Sequence, residues 1–380
     1  MPRPLTQNPR RTHSGTARPG ADDGVRIGDI VLRNRVVTSS SLLGYGVANS
    51  PLVPYGMSPV SLFVPLSEFG AVTTRTLTVA PREGHFTTRD RWPVRELPGL
   101  LRRYGTVLRG TDAGFVNAFG WCNVGIDAYL RDYYPRTRDQ WTIISLGGFS
   151  AEEFVTLVDR VNAVVPAGEI AAVELNVSCH NVNFDFSAIL QDVLDEAVPR
   201  SNHPVLLKLS PDHDYLRNAA QAARAGVAGL TAINTVKALR LDPRTGRPLL
   251  ANRFGGLSGR AIKPIGLRVV AELRDAGTTL PIVATGGIRT VDDCREYFWA
   301  GADAVSLGSA TWLASYPGYA LAPLRGLAVR RLLRTVARDD LRPARPTGHL
   351  TPPTPDDLAA AGHPGPPGRP RRLLPGSPTR

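Results

Sequence analysis

The segment Glu174–Asn181 and the lysine Lys208 hold the residue types in this chain that are most able to do chemistry. The thiol of Cys179 lies between the carboxamides of Asn176 and Asn181, and Lys208 lies inside a later apolar run. A thiol becomes a competent base when a nearby cation or dipole lowers its pKa. The pattern therefore predicts a site that removes a proton beside a carbonyl group.

Lysine is rare in this sequence, which makes the position of Lys208 informative. The chain has 45 lysines and arginines, and its only lysines are Lys208, Lys237 and Lys263. A retained lysine marks a place that needs a compact, flexible positive charge. Because an ammonium group is costly to bury without a partner, we expect Lys208 to face an anionic or carbonyl ligand, to form a structural ion pair or to form a Schiff base.

Glycine clusters follow the last two predicted strands. They are Gly286-Gly287 and Gly308-Ser309, and Gly255–Gly259 offers further backbone amides. Any one of them alone is most simply a turn. Together they predict a phosphate site, because glycine lets backbone N–H groups approach an anion and a helix N-terminus adds its dipole.

Four carboxamides lie near the ends of predicted strands or loops: Asn117, Asn176, Asn181 and Asn234. Each alone is a typical turn residue. As a group they can hydrogen-bond a planar ligand that is rich in amide and carbonyl groups. The cysteine Cys294 lies in a helical pattern and is predicted to serve packing only.

Alternating apolar runs and helical patterns predict an α/β fold, a (β/α)8 TIM barrel. The strand-like runs are 36–40, 71–76, 142–146, 171–176, 204–209, 229–234, 281–285 and 303–307. The helical patterns are 151–164, 186–197, 214–225, 264–276, 291–300 and 321–336. A doubly wound open sheet is the alternative. The barrel is favoured because polar residues collect at the carboxyl ends of the runs, where barrels carry active sites. They are Ser40, Arg75, Ser145, Asn176, Lys208, Asn234, Thr285 and Gly308.

The predicted barrel spans residues 25–338 and carries three unusual segments. Residues 25–33 read as a short hairpin that closes the bottom of the barrel. Residues 77–141 and 235–262 exceed ordinary loop lengths, and such insertions are typically lids or substrate walls.

The net charge of +12 does not indicate a nucleic-acid-binding surface. Much of the excess lies in two tails, 1–24 and the Pro/Arg-rich 339–380, whose composition predicts disorder. No basic helix with interleaved aromatic residues stands out. A non-catalytic protein that binds nucleic acid through these tails is the alternative.

Three cysteines without C-x-x-C spacing predict a reducing compartment and no metal site. No apolar run approaches the roughly 18 residues of a membrane span. The N-terminus lacks the apolar region of a secretory signal. We therefore expect a cytoplasmic protein that does not act at a membrane.

Several segments together resemble the dihydroorotate dehydrogenases. They are Glu174–Asn181, 208–211 (KLSP), 233–235 (INT), 255–264 (GGLSGRAIKP) and 285–287 (TGG). The cysteine at position 179 resembles the residue that class 1 members carry there. The segment of residues 240–258 is most similar to the class 1B catalytic subunit. The resemblance implies an FMN-containing barrel that oxidises (S)-dihydroorotate to orotate in pyrimidine biosynthesis.

The resemblance also implies roles for particular residues. Cys179 would take the proton from C5 while C6 gives a hydride to flavin N5, and Lys208 would stabilise the charge of reduced FMN. The implied substrate-binding residues are Arg75, Asn117, Phe119, Gly120, Trp121, Asn176, Asn181, Asn234 and Thr235. The implied FMN-binding residues are Ser40, Arg75, Thr76, Ser145, Asn176, Lys208, Ile233, Gly259, Gly286, Gly287, Gly308 and Ser309, the last four at the phosphate. No metal is expected.

The sequence departs from the family pattern at four positions around the implied substrate. Arg75 replaces the usual lysine, Trp121 a leucine, Ser145 an asparagine and His180 a proline. The loop that follows Asn181 is also short. These departures keep open a related FMN oxidoreductase that acts on another cyclic or carboxylated substrate. A dihydropyrimidine dehydrogenase-like reductase fits less well, because the cysteine base at position 179 and the asparagine at position 181 both argue against it.

The electron acceptor is left open by the sequence. The chain has neither a cysteine cluster for an iron–sulfur centre nor a dinucleotide fingerprint. A class 1B-like protein would therefore need a separate FAD and iron–sulfur subunit, whereas a class 1A-like protein would use fumarate. The resemblance implies a homodimer. A colourless protein would instead favour a lyase or isomerase that uses Lys208 as a Schiff base.

Overall fold

The computed structural model describes residues 25–40, 44–46, 64–85, 107–137, 140–311, 322–338 and 341. Apart from Leu341, the predicted tails 1–24 and 339–380 lie outside these residues. In the described part the strands are β1 (Val25–Ile27), β2 (Ile30–Leu32), β3 (Val36–Thr38), β4 (Val72–Thr73), β5 (Leu108–Thr111), β6 (Gly114–Asn117), β7 (Thr142–Leu146), β8 (Ala172–Leu175), β9 (Val205–Leu209), β10 (Gly229–Ala232), β11 (Val236–Leu239), β12 (Phe254–Gly259), β13 (Ile282–Thr285) and β14 (Ala304–Leu307). The longer helices are α1 (Ala151–Val164), α2 (Leu190–Ala197), α3 (Tyr215–Arg224), α4 (Lys263–Asp275), α5 (Val291–Trp299) and α6 (Ala322–Arg338).

Eight parallel strands form the central sheet, in the order β3-β14-β13-β10-β9-β8-β7-β4. The two end strands meet through a parallel bridge between Val37 and Ala71. The N–H of Gly70 donates to Val36 O at 2.7 Å, and the N–H of Thr38 donates to Ala71 O at 3.1 Å. The sheet therefore closes, so the predicted (β/α)8 barrel is confirmed and the open doubly wound sheet is wrong.

The barrel interior is apolar at its amino end and polar at its carboxyl end. Ile143, Leu206 and Val283 belong to one buried cluster inside the barrel. The predicted hairpin is confirmed as β1 and β2, and its residues Ile30 and Leu32 join this cluster and close the barrel bottom. Burial of each such side chain contributes about 1.5–3 kcal/mol.

Local sequence explains where several helices begin. Ser150 precedes α1 and accepts a hydrogen bond from the N–H of Glu153 at 3.2 Å, which caps the helix. Thr290 and Asp293 form a reciprocal capping box at the start of α5. The predicted helix over 186–197 is shorter, because Phe186–Ala188 form a separate 3-10 turn before α2.

The two predicted insertions meet in one antiparallel sheet, in the order β11-β12-β6-β5. The sequence predicted lids or walls here but not this sheet. Gly114 allows the strands to approach closely, because a Cβ on it would lie 1.9 Å from Ser258 O. The rest of the first insertion that the structure describes includes helical turns at Ile126–Ala128, Tyr129–Tyr133 and Tyr134–Arg136.

None of the helices in the described ranges is both long and apolar enough to cross a membrane.

Candidate active site

A cavity opens at the carboxyl ends of the barrel strands, beneath the four-stranded insertion sheet. It has a volume of about 1070 Å³, counting its open mouth. The predicted site residues in its wall are Ser40, Arg75, Thr76, Asn117, Phe119, Gly120, Trp121, Asn176, Cys179, Asn181, Lys208, Ile233, Asn234, Thr235, Gly259, Gly286, Gly287, Gly308 and Ser309. Nineteen of the twenty predicted positions thus come together, although they come from all parts of the barrel and from both insertions.

Ser145 is the exception, since it does not line the cavity. Its side chain is fully buried and lies one layer behind the wall. There its hydroxyl is 3.1 Å from Thr76 Oγ1 and donates to Glu174 Oε1 at 2.9 Å. The expectation that Ser145 contacts a cofactor stays a prediction, and in the structure this hydroxyl is engaged by Thr76 and Glu174.

Sequence reasoning missed some wall residues, among them Ser39, Cys122, Ser258 and Ile262. Ser39 had a local signal, because it ends a predicted strand beside Ser40. Its Oγ lies 3.0 Å from Thr285 Oγ1, and Thr285 also lines the cavity. The other three had no signal beyond their place in an insertion or next to a glycine cluster.

Cys179 lies just after β8, partly exposed to the cavity. Burial raises the pKa of its thiol above the ordinary value of 9.0, although the backbone N–H of Asn181 and the ammonium of Lys208 act in the opposite direction. The sequence predicted a thiol that a nearby cation activates. The cation is present, but the effect of desolvation on the pKa outweighs its effect.

The predicted carboxamides form two hydrogen-bonded groups in the cavity wall. Asn234 Nδ2 donates to Asn176 Oδ1 at 3.3 Å and to Ser178 O at 3.1 Å. Asn176 Nδ2 donates in turn to Thr76 Oγ1 at 2.8 Å. Across the mouth, Asn181 is bonded to Asn117. These contacts hold the amide groups in fixed directions toward one ligand.

Lys208 is buried inside the barrel and faces a carboxylate of the same chain. Its Nζ lies 3.3 Å from Glu174 Oε1, and both side chains are almost fully buried. Of the alternatives that the sequence left open, the structural ion pair is therefore present. Lys208 also lines the cavity, so its ammonium can serve a ligand as well.

Glycines shape the end of the cavity beside β13 and β14. Gly259, Gly286 and Gly287 have φ values of 95°, 131° and 72°. A Cβ on Gly287 would lie 2.8 Å from Gly259 O, so a side chain does not fit there. The backbone at this end is thus open to the close approach of an anion.

Comparison with known proteins identifies the family. The family model described as dihydroorotate dehydrogenase matches residues 57–321. The chain belongs to the dihydroorotate dehydrogenase family. It is 36% identical over 301 residues to the dihydroorotate dehydrogenase B (NAD(+)) catalytic subunit of Geotalea daltonii, a match that covers 77% of this chain and 88% of that protein. The proteins of the same name from Desulforamulus reducens and Geobacillus kaustophilus are 35% and 34% identical, over 77% and 76% of this chain and 88% and 85% of theirs.

Two of the residues that were expected to depart from the family pattern, Trp121 and Arg75, lie in the wall of this cavity. Trp121 packs against Phe149 and Phe186, with ring centroids 5.3 and 5.7 Å apart. Arg75 Nε donates to Cys122 O at 3.0 Å, which directs the guanidinium along the wall.

His180, the residue beside Cys179, faces away from this cavity. It begins the 3-10 turn His180–Val182, and its Nε2 lies 2.8 Å from Ser210 Oγ and 2.9 Å from Asp212 Oδ2. The ring thus ties the turn after β8 to the segment after β9. This agrees with the expectation that His180 is a loop residue rather than a catalyst.

Proposed function

We propose that this chain is the FMN-dependent catalytic subunit of a dihydroorotate dehydrogenase, which oxidises (S)-dihydroorotate to orotate in pyrimidine biosynthesis. The observation that carries the proposal is that Cys179, Lys208 and the four carboxamides share one cavity with the glycine cradle. Family membership and the names of the relatives support it.

The lining of the cavity suits a flavin and a second planar ligand. It combines an end of open glycine backbone with carboxamides and with the positive charges of Arg75 and Lys208. The cradle of Gly259, Gly286 and Gly287, with Gly308 and Ser309, would hold the phosphate of FMN. When bound, FMN supplies the acceptor for the hydride that leaves C6 of the substrate.

The chain's own residues would handle the proton and the charges. Cys179, as its thiolate, would take the proton from C5, and the C5=C6 double bond of orotate forms. Lys208 would place a positive charge at the cavity floor, where it would stabilise the negative charge of reduced FMN. The carboxamides of Asn117, Asn176 and Asn181 would hold the ring. Arg75 would add a second positive charge beside a carboxylated ligand.

The relatives are named catalytic subunits, which supports a separate electron-transfer subunit for this chain too. Within the described ranges no cluster of three or more His, Cys, Asp or Glu side chains could hold a metal ion. We propose that a second polypeptide carrying FAD and an iron–sulfur centre takes electrons from this subunit. The implied homodimer and the cytoplasmic location stay predictions.

The deciding experiment is an anaerobic absorbance spectrum of the purified protein, taken before and after addition of dihydroorotate. Flavin bands that bleach on addition establish both the cofactor and the substrate. Absence of flavin, even after reconstitution with FMN, overturns the proposal. A colourless protein would then favour the Schiff-base alternative at Lys208.

A second candidate is a related FMN oxidoreductase with another cyclic or carboxylated substrate. The observation that favours it is the altered wall, in which Trp121 lies so close to β7 that a Cβ on Gly147 would be 2.8 Å from its ring. Flavin bands that dihydroorotate leaves unchanged would select this candidate. Bleaching by dihydroorotate at a rate typical of turnover would exclude it.

A further inference from the structure

One buried carboxylate has no role in the chemistry proposed above. Glu174 lies in the middle of β8, between the apolar residues Val173 and Leu175, and only 2% of it is exposed. Its Oε1 accepts a hydrogen bond from Ser145 Oγ at 2.9 Å and lies 3.3 Å from Lys208 Nζ. Glu174 is therefore the immediate neighbour of the cation that the proposed chemistry uses.

The two charges occupy different depths of the barrel. Lys208 lines both the main cavity and a small interior pocket beneath it. Glu174 lines the interior pocket but not the main cavity. Seen from the main cavity, the Glu174 carboxylate thus lies behind the Lys208 ammonium. From there the carboxylate attracts Nζ away from the cavity mouth and offsets the positive charge of the lysine.

Stability alone does not account for this pair. Removing two charges from water is costly, and apolar residues of similar size are often as stable or more stable in their place. The interior pocket that the pair borders has apolar side chains in its wall (Val37, Ile143 and Val283) as well as hydroxyl groups. A reason for the pair is therefore to be sought in the cavity that it borders.

We propose that Glu174 is a positioning residue, which holds the Lys208 ammonium at the cavity floor and lowers the reduction potential of the flavin bound above it. The proposal rests on FMN binding as proposed above. A lone ammonium would stabilise the added negative charge of reduced flavin strongly, because interactions are strong in a dry interior. The carboxylate cancels part of that stabilisation, so the flavin releases its electrons more readily to the next acceptor.

The test compares the wild-type protein with Glu174→Gln, both loaded with FMN. Glutamine keeps the shape of the side chain, and its carbonyl oxygen can still accept from Ser145 and Lys208, but it removes the negative charge. The midpoint potential is measured by equilibration with redox dyes under anaerobic conditions. We expect Glu174→Gln to favour reduced flavin at least tenfold, which is a rise of about 30 mV for a two-electron couple.

A matched control is Glu68→Gln, at the other end of the barrel. Glu68 also accepts from a cation, since Arg330 Nη2 lies 2.6 Å from its Oε1, but the pair is partly exposed and distant from the cavity. The flavin midpoint potential of Glu68→Gln should equal that of the wild-type protein. An equal or lower potential in Glu174→Gln, with FMN bound, overturns the inference while leaving the proposed function intact.

A second variant, Glu174→Asp, covers the case in which Glu174→Gln does not fold. It keeps a carboxylate in the barrel, but the side chain is one methylene shorter, so the carboxylate lies farther from Lys208 Nζ and offsets its charge less. The midpoint potential of Glu174→Asp should therefore lie above that of the wild-type protein. A potential equal to or below the wild-type value would overturn the inference. Wild-type protein that binds no FMN would instead overturn the proposed function itself.

Discussion

Asn181 Nδ2 donates a hydrogen bond of 3.1 Å to Asn117 Oδ1 across the mouth of the cavity. Asn117 ends β6 in the insertion sheet and is itself held by a bond from its Nδ2 to Gly256 O at 3.0 Å. Asn181 lies in the turn just after Cys179. The pair therefore ties the wall of the cavity to the segment that carries the proposed base.

Replacement of Asn181 by alanine should weaken substrate binding. The variant loses a carboxamide that would face the ring and leaves Asn117 without one of its partners, and each lost bond of this kind costs about 1–3 kcal/mol. We expect the Kd for orotate, read from the shift of the flavin spectrum, to rise about tenfold or more. The control is Asn183→Gly, because Asn183 is exposed, its side chain makes a 2.9 Å bond to Asn252 Oδ1, and its φ of 49° suits glycine. An unchanged Kd in Asn181→Ala would argue against a substrate contact.

Replacement of Cys179 by serine should slow flavin reduction without loss of the flavin. A serine hydroxyl is a far weaker base than a thiolate, and loss of a general base typically costs about 10²–10⁴-fold in rate. Anaerobic stopped-flow mixing with dihydroorotate measures the rate, and the flavin absorbance reports the bound cofactor. The matched control is Cys294→Ala, which removes a thiol buried in α5 away from the cavity and should keep the wild-type rate. Reduction at wild-type speed in Cys179→Ser would show that another group is the base.

The pH dependence of flavin reduction should follow the raised pKa of Cys179. The thiolate is the active form, and burial raises the pKa of the thiol above its ordinary value of 9.0. Below that pKa the thiolate fraction, and with it kcat/KM, increases about tenfold for each pH unit. We therefore expect kcat/KM for reduction by dihydroorotate to keep rising up to pH 9. A plateau already at pH 7 would mean that Cys179 is not the titrating base in the free enzyme.

The barrel and most of its site were predictable because their signals are local. Lys208 and Asn176 are polar residues at the ends of apolar runs, and the carboxyl ends of parallel strands meet at one face of a barrel. This geometry brings together residues that are distant in the sequence without any knowledge of their contacts. Gly286 and Gly287 were found in the same way, from their place just after a strand.

The remaining features depend on pairings between distant segments. The insertion sheet was missed because β12 pairs with β6 across more than one hundred residues, and the sequence of β12, FGGLSG, has no strand-like alternation. The partner of Lys208 in its ion pair was missed for a related reason. Glu174 and Lys208 are both charges inside apolar strands, but their contact follows only once β8 and β9 are known to be neighbours.

Replacement of Gly287 by alanine should weaken FMN binding, because the residue has two separate reasons to be glycine. Its φ of 72° costs a non-glycine residue about 1–2 kcal/mol, and a Cβ would lie 2.8 Å from Gly259 O in the cradle proposed for the phosphate. The matched control is Gly226→Ala, between α3 and β10, where φ is 77° but a Cβ meets nothing within 4 Å. Both variants should lose stability in thermal unfolding of the flavin-free protein, Gly287→Ala more than Gly226→Ala because only its Cβ also clashes. Only Gly287→Ala should bind FMN more weakly, with a Kd raised tenfold or more in a fluorescence titration. Equal FMN affinities in the two variants would show that the phosphate does not bind at this end of the cavity.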